Sequence, residues 1–325
     1  MWSMPTTLQL RGMRIPPDFG GDNDPDIGLF LSEGAIMGSL SRTFATLALA
    51  SGAWLASNAT AGTLEQIRDS KTLRIAYDPG APPFSYVVPG SPATAQPQGY
   101  SVELCRAIAD QFKDQLKLPD LKVAYVTVNS QDRFDAITSD KADLLCASAT
   151  ATLSRRQIVD FSIPIFIDGA SFVIGPNGPR DLKLLAGKKV GVLPGTTTEE
   201  ALRRALTSTR INAEIVLVKT NQDGIDAVEK GQVAAYFADR ATLTFLLRKE
   251  KEAASLLLAE TYLSVEPIAL ALRRGDSDFR LAVDTALSHI YRRGEITTVF
   301  KTAFGALTTP SPLLAGLYQV SGLPD

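Results

Sequence analysis

Four clusters of polar residues stand out because each lies where a predicted strand gives way to a helix or a turn. They are Asp78, residues 146–150 with Arg155 five residues later, residues 194–200, and Asp239. In open α/β sheets, ligands bind at this edge. The guanidinium of Arg155 can hold a carboxylate through two hydrogen bonds, and a buried carboxylate at Asp239 can receive an ammonium group. These segments are therefore candidates for a ligand site.

The same clusters also have structural explanations. Thr196 with Glu199 fits a capping box at the start of a helix. Thr197 with Glu200 fits a capping box equally well. By itself, Asp239 is more typical of the N-cap of the following helix. Capping does not exclude binding, because a helix N-terminus with free N–H groups is also a site for a carboxylate.

The elements that must position these residues follow the alternating pattern of an α/β protein. Short apolar runs alternate with helical periodicity along residues 73–146 and again along residues 190–237. In the first helix, apolar residues recur at three- and four-residue spacing, which predicts one buried stripe. The predicted strands are 73–77, 123–126, 144–146, 190–193, 214–218 and 233–237, and the helices are 102–116, 133–139, 199–206 and 223–230.

Two extended segments, residues 161–174 and 262–272, flank the second α/β set. We expect the chain to cross into a second lobe at the first segment and to return at the other. This predicts a two-lobed α/β fold with two hinge strands and a central ligand cleft. Helices 277–293 and 296–304 are expected to pack on the first lobe, and residues from Pro310 onward to form a surface tail. The predicted domains are a first lobe of residues 62–167 plus 264–325 and a second lobe of residues 168–263.

The N-terminal part of the chain has the pattern of an export signal. An apolar stretch at residues 43–56 follows Arg42 and precedes Ala59-Thr60-Ala61, an A-x-A cleavage site. We therefore expect a signal peptide at residues 37–61, translation from Met37, and residues 1–36 as an extension outside the native protein. The apolar stretch is too short to span a bilayer. The cleaved product is expected to be periplasmic and soluble.

Composition excludes several classes of function. The 325 residues include 33 Lys and Arg against 35 Asp and Glu, too balanced for a protein that binds nucleic acid. One histidine and two cysteines exclude zinc sites built from these residues, and nothing indicates a metal, a nucleotide, a flavin or another cofactor. Export permits a disulfide between Cys105 and Cys146. Their positions, on a helix and in an apolar strand, instead favour two buried thiols.

Several short strings occur in one order along the chain. They are APPFSY at 81–86, GYSVEL at 99–104, SQDR at 130–133, C-x-S-x-T at 146–150 with Arg155, FS at 161–162, PGTT at 194–197 and A-x-x-x-D ending at Asp239. Over residues 64–304, this order resembles the polar amino-acid-binding proteins of ABC importers, above all the glutamate/aspartate-binding branch. The resemblance implies a periplasmic, monomeric receptor that closes over one free amino acid and delivers it to a membrane permease.

The resemblance also implies roles for individual residues. Arg155 and Thr150 match the clamp for the α-carboxylate, with Thr196 or Thr197 adding donors from the other lobe. Ser148 and Asp239 match the acceptors of the α-ammonium group, and Ser130 and Arg133 match residues that hold a side-chain carboxylate. The complete expected ligand-binding set is Asp78, Phe84, Ser130, Arg133, Ser148, Thr150, Arg155, Thr196, Thr197, Asn221 and Asp239.

Two positions depart from the glutamate/aspartate branch. Asp78 stands where that branch has an arginine, and Asn221 where it has a histidine. An acidic ligand side chain would meet Asp78 with like charge unless Arg133 offsets it. The side chain of the ligand is therefore left open as acidic, amide or cationic.

Two other functions use the same scaffold. Cyclohexadienyl dehydratases share it, and such an enzyme would need a proton donor in the cleft, for which Asp78, Glu266 or Asp168 is available. His289 lies on a helix away from the predicted cleft. A sensor partner for a membrane receptor would use the same closure. The amino-acid clamp favours binding over catalysis.

Overall fold

A computed structural model describes residues 62–92, 94–249 and 255–324. The predicted signal peptide and the extension before it lie outside the described residues. The strands are β1 Thr72–Tyr77, β2 Gly80–Ala81, β3 Ser85–Tyr86, β4 Lys122–Thr127, β5 Leu144–Leu145, β6 Val159–Asp168, β7 Ala170–Ile174, β8 Lys189–Val192, β9 Glu214–Leu217, β10 Ala235–Asp239, β11 Leu257–Leu258 and β12 Glu266–Arg273. The helices are α1 Thr63–Ser70, α2 Tyr100–Gln115, α3 Arg133–Thr138, α4 Thr197–Thr209, α5 Asn221–Glu229, α6 Arg240–Lys249, α7 Ser277–Arg292, α8 Ile296–Phe304 and α9 Pro312–Ser321.

These elements form two five-stranded sheets. The first has the order β4-β1-β5-β12-β6, in which β4, β1 and β5 are parallel and β12 is antiparallel to both of its neighbours. The second has the order β11-β7-β10-β8-β9, in which β10, β8 and β9 are parallel. We call the first sheet with α1–α3 and α7–α9 the first lobe, and the second sheet with α4–α6 the second lobe. Both are α/β, as the alternating pattern predicts.

The chain crosses between the sheets twice, and the two crossings lie side by side. Strand β6 ends at Asp168 and β7 begins at Ala170, so only Gly169 separates a strand of one sheet from a strand of the other. The chain returns into β12, where Glu266 pairs with Asp168. A Cβ at position 169 would lie 2.2 Å from the carbonyl oxygen of Ser264. A glycine is therefore required where the crossing segments approach each other.

The apolar stripe of α2 packs into the first core as predicted, and it also carries a disulfide. Cys105 and Cys146 are bonded, with their Cα atoms 6.3 Å apart, so the expectation of two buried thiols was wrong. Both residues are fully buried. The stripe faces the sheet and brings Cys105 over the residue that follows β5. Spacing along the chain does not show which turn of a helix will lie over which strand.

The expectation of a surface tail from Pro310 onward was also wrong. Helix α9 begins at Pro312, and the Ser311 side chain caps it by accepting a hydrogen bond from the N–H of Leu314. Leu314 and Tyr318 are buried, and the Tyr318 hydroxyl lies 2.7 Å from that of Tyr100. Leu314, Leu317 and Tyr318 recur at the three- and four-residue spacing of one helix face, so the sequence did carry the signal for this helix. None of the helices within the described ranges combines the length and apolar character needed to cross a bilayer.

Candidate functional site

A small cavity between the lobes collects nine of the eleven residues predicted to bind a ligand. The centre of a water molecule can reach about 40 Å³ of it. The predicted residues on its wall are Asp78, Ser130, Arg133, Ser148, Thr150, Thr196, Thr197, Asn221 and Asp239. Both lobes contribute to this wall.

The topology explains why these side chains meet. Asp78 follows β1, and Ser148 and Thr150 follow β5, its parallel neighbour in the first sheet. In the second sheet, Thr196 follows β8 and Asp239 ends the adjacent parallel strand β10. Carboxyl ends of parallel neighbours lie at one edge of a sheet. The two edges face each other, so residues far apart in the sequence share one cavity.

Hydrogen bonds join the two lobes directly across the cavity. The Ser148 hydroxyl donates to Oδ2 of Asp239 at 2.7 Å. The Ser130 hydroxyl donates to the carbonyl oxygen of Pro194 at 2.8 Å. At the rim, Nδ2 of Asn221 donates to the carbonyl oxygen of Gly80, also at 2.8 Å. Opening the cavity requires that these bonds be exchanged for bonds to water or to a solute.

Glu266 organises the hydroxyl groups beside the cavity, although the sequence suggested it only as a proton donor. The hydroxyls of Thr150 and Thr197 both donate to its Oε2 at 2.5 Å, and the Ser264 hydroxyl donates to Oε1 at 2.6 Å. A hydroxyl has one hydrogen to donate. Thr150 and Thr197 can therefore donate to a ligand only if they leave Glu266. The signal that was missed is its position as the first residue of the returning hinge strand.

Two arginines lie against one phenylalanine that the sequence did not single out. The guanidinium carbons of Arg133 and Arg155 each lie 5.2 Å from the ring centroid of Phe134, within cation–π range. Arg133 lines the cavity, whereas Arg155 lies behind Thr150 and donates from Nη1 to the Thr150 carbonyl oxygen at 3.0 Å. The structure therefore places Arg133 on the cavity wall and Arg155 in the layer behind it.

Phe84 lies in the core of the first lobe and not on the cavity wall. It is fully buried, with its ring centroid 5.1 Å from that of Phe166 and 6.2 Å from that of Tyr100. The segment around it positions a cavity residue instead, because the neighbouring Ser85 hydroxyl accepts a hydrogen bond from the N–H of Asp78. The aromatic side chain in the PFSY string turns inward, a direction that the string itself does not reveal.

The cavity holds buried groups of opposite charge. Burial, with a smaller effect from Glu266, raises the pKa of the Asp239 carboxyl to about 6, although the hydrogen bond from Ser148 opposes this shift. Burial also raises the pKa of Asp78, against the opposing effects of the Gly80 N–H and Arg133. Burial and the charge of Arg155 lower the pKa of Arg133 to about 10, so Arg133 remains protonated at neutral pH. Over the described parts of the chain, no three His, Cys, Asp or Glu side chains form a metal-binding group.

Asn221 is held in place by a close approach of α5 to β10. Its Oδ1 accepts a hydrogen bond of 2.7 Å from the Tyr236 hydroxyl. Tyr236 is fully buried, and its ring lies so near Gly224 that an added Cβ would sit 2.2 Å from the ring. The glycine therefore allows the tyrosine to reach Asn221.

Replacement of Gly224 with alanine is expected to destabilise the protein by about 1–3 kcal/mol, the usual cost of overpacking a core. This cost outweighs the gain of up to about 1 kcal/mol from better helix propensity. Gly316, on α9, has open space where its Cβ would be, so Gly316→Ala is a matched control that should be neutral or stabilising. Urea unfolding of both variants measures the difference. Equal stability of the two variants would show that the ring moves aside without cost.

Comparison with known proteins places the chain among solute-binding proteins. Residues 73–306 match the family described as bacterial extracellular solute-binding proteins, family 3. An L-glutamate/L-aspartate-binding protein of Pseudomonas aeruginosa is 31% identical over 254 residues, 77% of this chain and 82% of that protein. A glutamate/aspartate import solute-binding protein of Escherichia coli is 28% identical over 80% of this chain and 87% of its own length. The solute receptor for L-cysteine of Neisseria gonorrhoeae superposes with a TM-score of 0.66 at 25% identity, covering 77% of this chain and 98% of the receptor.

Proposed function

The chain belongs to family 3 of the bacterial extracellular solute-binding proteins, and from this we propose that it binds one free polar amino acid for an ABC importer. The observation that carries the proposal is the cavity between the lobes, where the carboxylates of Asp78 and Asp239 and the guanidinium of Arg133 face the same small space. A zwitterion requires partners of both charges once it is removed from water. The names of the relatives, which bind or import glutamate and aspartate, support an amino-acid ligand.

In this proposal, the two ends of the ligand backbone bind to different groups. The α-ammonium group takes the place between Ser148 and Asp239, which come from opposite lobes and bond each other at 2.7 Å. The α-carboxylate binds the hydroxyl of Thr150 together with Thr196 or Thr197 on the second lobe. Arg155 supplies positive charge directly behind Thr150. A ligand held by both lobes stabilises the closed arrangement.

Closure requires two moving bodies, which we propose to be residues 62–167 with 264–325 and residues 168–263. The paired positions Asp168 and Glu266 mark where both crossings leave the first sheet, so rotation about this point separates the cavity walls.

We further propose a monomer in the periplasm, released by cleavage near Ala61, that delivers its ligand to a membrane permease and does not bind nucleic acid. The named relatives are binding proteins, and the chain is a binding protein and not an enzyme. The dehydratase alternative is not favoured.

A thermal-shift screen of residues 62–325 against the twenty common amino acids tests the proposal. A ligand present at 100 times its dissociation constant is expected to stabilise the folded protein by about 2.7 kcal/mol. The stabilisation should be confined to one class of side chain, since Asp78, Arg133 and Asn221 surround that part of the ligand. Small-angle scattering with and without the stabilising amino acid should report closure as a decrease in the radius of gyration. Stabilisation by none of the twenty would contradict the proposal.

A further inference from the structure

Asp78 and Arg133 form an unusual pair on the cavity wall because each retains binding capacity. Asp78 is 8% exposed, and its Oδ1 accepts a 2.8 Å hydrogen bond from the N–H of Gly80. No hydrogen bond within the described residues reaches its Oδ2. Arg133 is 5% exposed and donates from Nη2 to the carbonyl oxygen of Gly195 at 3.2 Å, but its Nε is buried and has no partner among the described residues. The pair thus offers an acceptor oxygen on Asp78 and unused N–H donors on the Arg133 guanidinium.

The uncharged neighbours are already engaged. Asn221 donates to Gly80 and accepts from Tyr236. The Ser130 hydroxyl donates its hydrogen to the carbonyl oxygen of Pro194. Neither residue can neutralise a charge on the ligand. The preference for a ligand side chain is therefore set by Asp78 and Arg133.

The charges of this pair cancel, which disfavours a charged ligand side chain. A carboxylate would pair with Arg133 but would lie beside the carboxylate of Asp78. A cationic side chain would pair with Asp78 but would meet Arg133, and like charges in a closed site cost several kcal/mol. A primary carboxamide avoids both conflicts, because its oxygen accepts from a guanidinium N–H and its NH₂ group donates to a carboxylate.

We propose that the ligand is an amino acid with a primary carboxamide side chain, bound through its amide oxygen to Arg133 and through its amide NH₂ group to Asp78. This inference rests on the proposed function and narrows it from polar amino acids to one chemical class. Asp78 and Arg133 select against ligands with a charged side chain, while the remaining residues bind the backbone groups that all amino acids share.

Titration calorimetry at about pH 7.5 with glutamine, asparagine, glutamate, aspartate and arginine tests the inference. One of the two amides is expected to bind about 100-fold more tightly than either acid and than arginine. The acids are weakened by the like charge of Asp78, and arginine is weakened by the like charge of Arg133. Tighter binding of an acid or of arginine than of both amides would overturn the inference and leave the proposed function standing. Binding of none of the five, with no stabilisation by any of the twenty, would overturn both.

A matched pair of variants separates the role of Asp78 from a general effect of charge. Asp78→Asn removes the negative charge that faces the ligand side chain in this proposal, and glutamate binding should improve at least 10-fold relative to amide binding. Asp135→Asn removes the same charge from an exposed position on α3 and should leave the ratio unchanged. Equal ratios in Asp78→Asn and the unmodified protein would overturn the inference. A second result would also overturn the inference: glutamate binds the unmodified protein as tightly as glutamine does, and about one proton is taken up on binding. Asp78 would then be neutral in the complex.

Discussion

Replacement of Asp239 with asparagine is expected to abolish ligand binding and, at the same time, to stabilise the folded protein at neutral pH. In the proposed site, Asp239 is the partner of the α-ammonium group, and removal of one member of a buried charge pair costs about 2–5 kcal/mol. The dissociation constant should therefore rise by about 30-fold to several thousand-fold. The side chains have nearly the same shape, and the hydroxyls of Ser148 and Thr198 that donate to Asp239 can rotate to suit an amide.

The gain in stability follows from the pKa of the same carboxyl. Its pKa is about 6 in the folded protein, because of burial and then Glu266, against about 3.9 in an unfolded chain. The folded state thus holds the proton more tightly than the unfolded chain does. The contribution of this carboxyl to the free energy of unfolding is fully present below about pH 4 and is lost as the pH rises through 6. Asparagine does not titrate. Between pH 4 and 6, the free energy of unfolding of the variant should therefore rise relative to that of the unmodified protein, by up to about 3 kcal/mol.

Calorimetric binding and urea unfolding at several pH values measure both effects. Glu214→Gln is a suitable control, because Glu214 is an exposed acidic residue on β9 of the same lobe. Its 3.6 Å ion pair with Lys189 is exposed and contributes little to stability. A dissociation constant for Asp239→Asn within about 3-fold of the unmodified value would exclude the proposed ammonium site. A stability difference that does not change between pH 4 and 7 would show that Asp239 has an ordinary pKa.

Removal of the disulfide is the second change with a large expected effect. Cys105 and Cys146 are 41 residues apart in the sequence, and the loss of a cross-link over a loop of this length lowers the free energy of unfolding by about 4 kcal/mol. The double variant Cys105→Ala/Cys146→Ala should unfold at a correspondingly lower urea concentration. The same decrease is expected when the unmodified protein is treated with a reductant.

The reductant also provides the control. It should have no further effect on the double variant, which contains no cysteine. The two residues join α2 to the end of β5, beside the segment with Ser148 and Thr150, so ligand binding should persist at temperatures where the reduced protein remains folded. A reductant that leaves the unfolding midpoint of the unmodified protein unchanged would show that the bond contributes little.

Sequence patterns predicted the elements that carry the site because those elements obey local rules. The apolar stripe of α2 and the strand that becomes β1 are periodic segments with clear ends. Ser148, Thr150, Thr196 and Asp239 were identified because they follow or end strands, and the carboxyl ends of parallel strands converge in any sheet of this kind. Their meeting in one cavity is therefore a consequence of topology that the sequence reveals.

The residues that sequence reasoning misjudged depend on packing between distant segments. Phe84 lies in the string that follows the cavity residue Asp78, yet its ring fits among aromatic rings from α2 and β6. Glu266 gains its importance only when the second hinge strand brings it beside Thr150 and Thr197. The Cys105–Cys146 bond similarly requires the register of a helix over a sheet. None of these relations has a period or a spacing along the chain.

The order of strands in the first sheet dictates when each lobe can finish folding during synthesis. Strand β12 lies between β5 and β6, and β6 has no other neighbour in that sheet. The first sheet therefore stays incomplete until residues 266–273 are available, whereas all strands of the second sheet lie within residues 170–258. Pairings over such long separations are slow to form. The lobe that is begun first on the ribosome is consequently the one that is completed last.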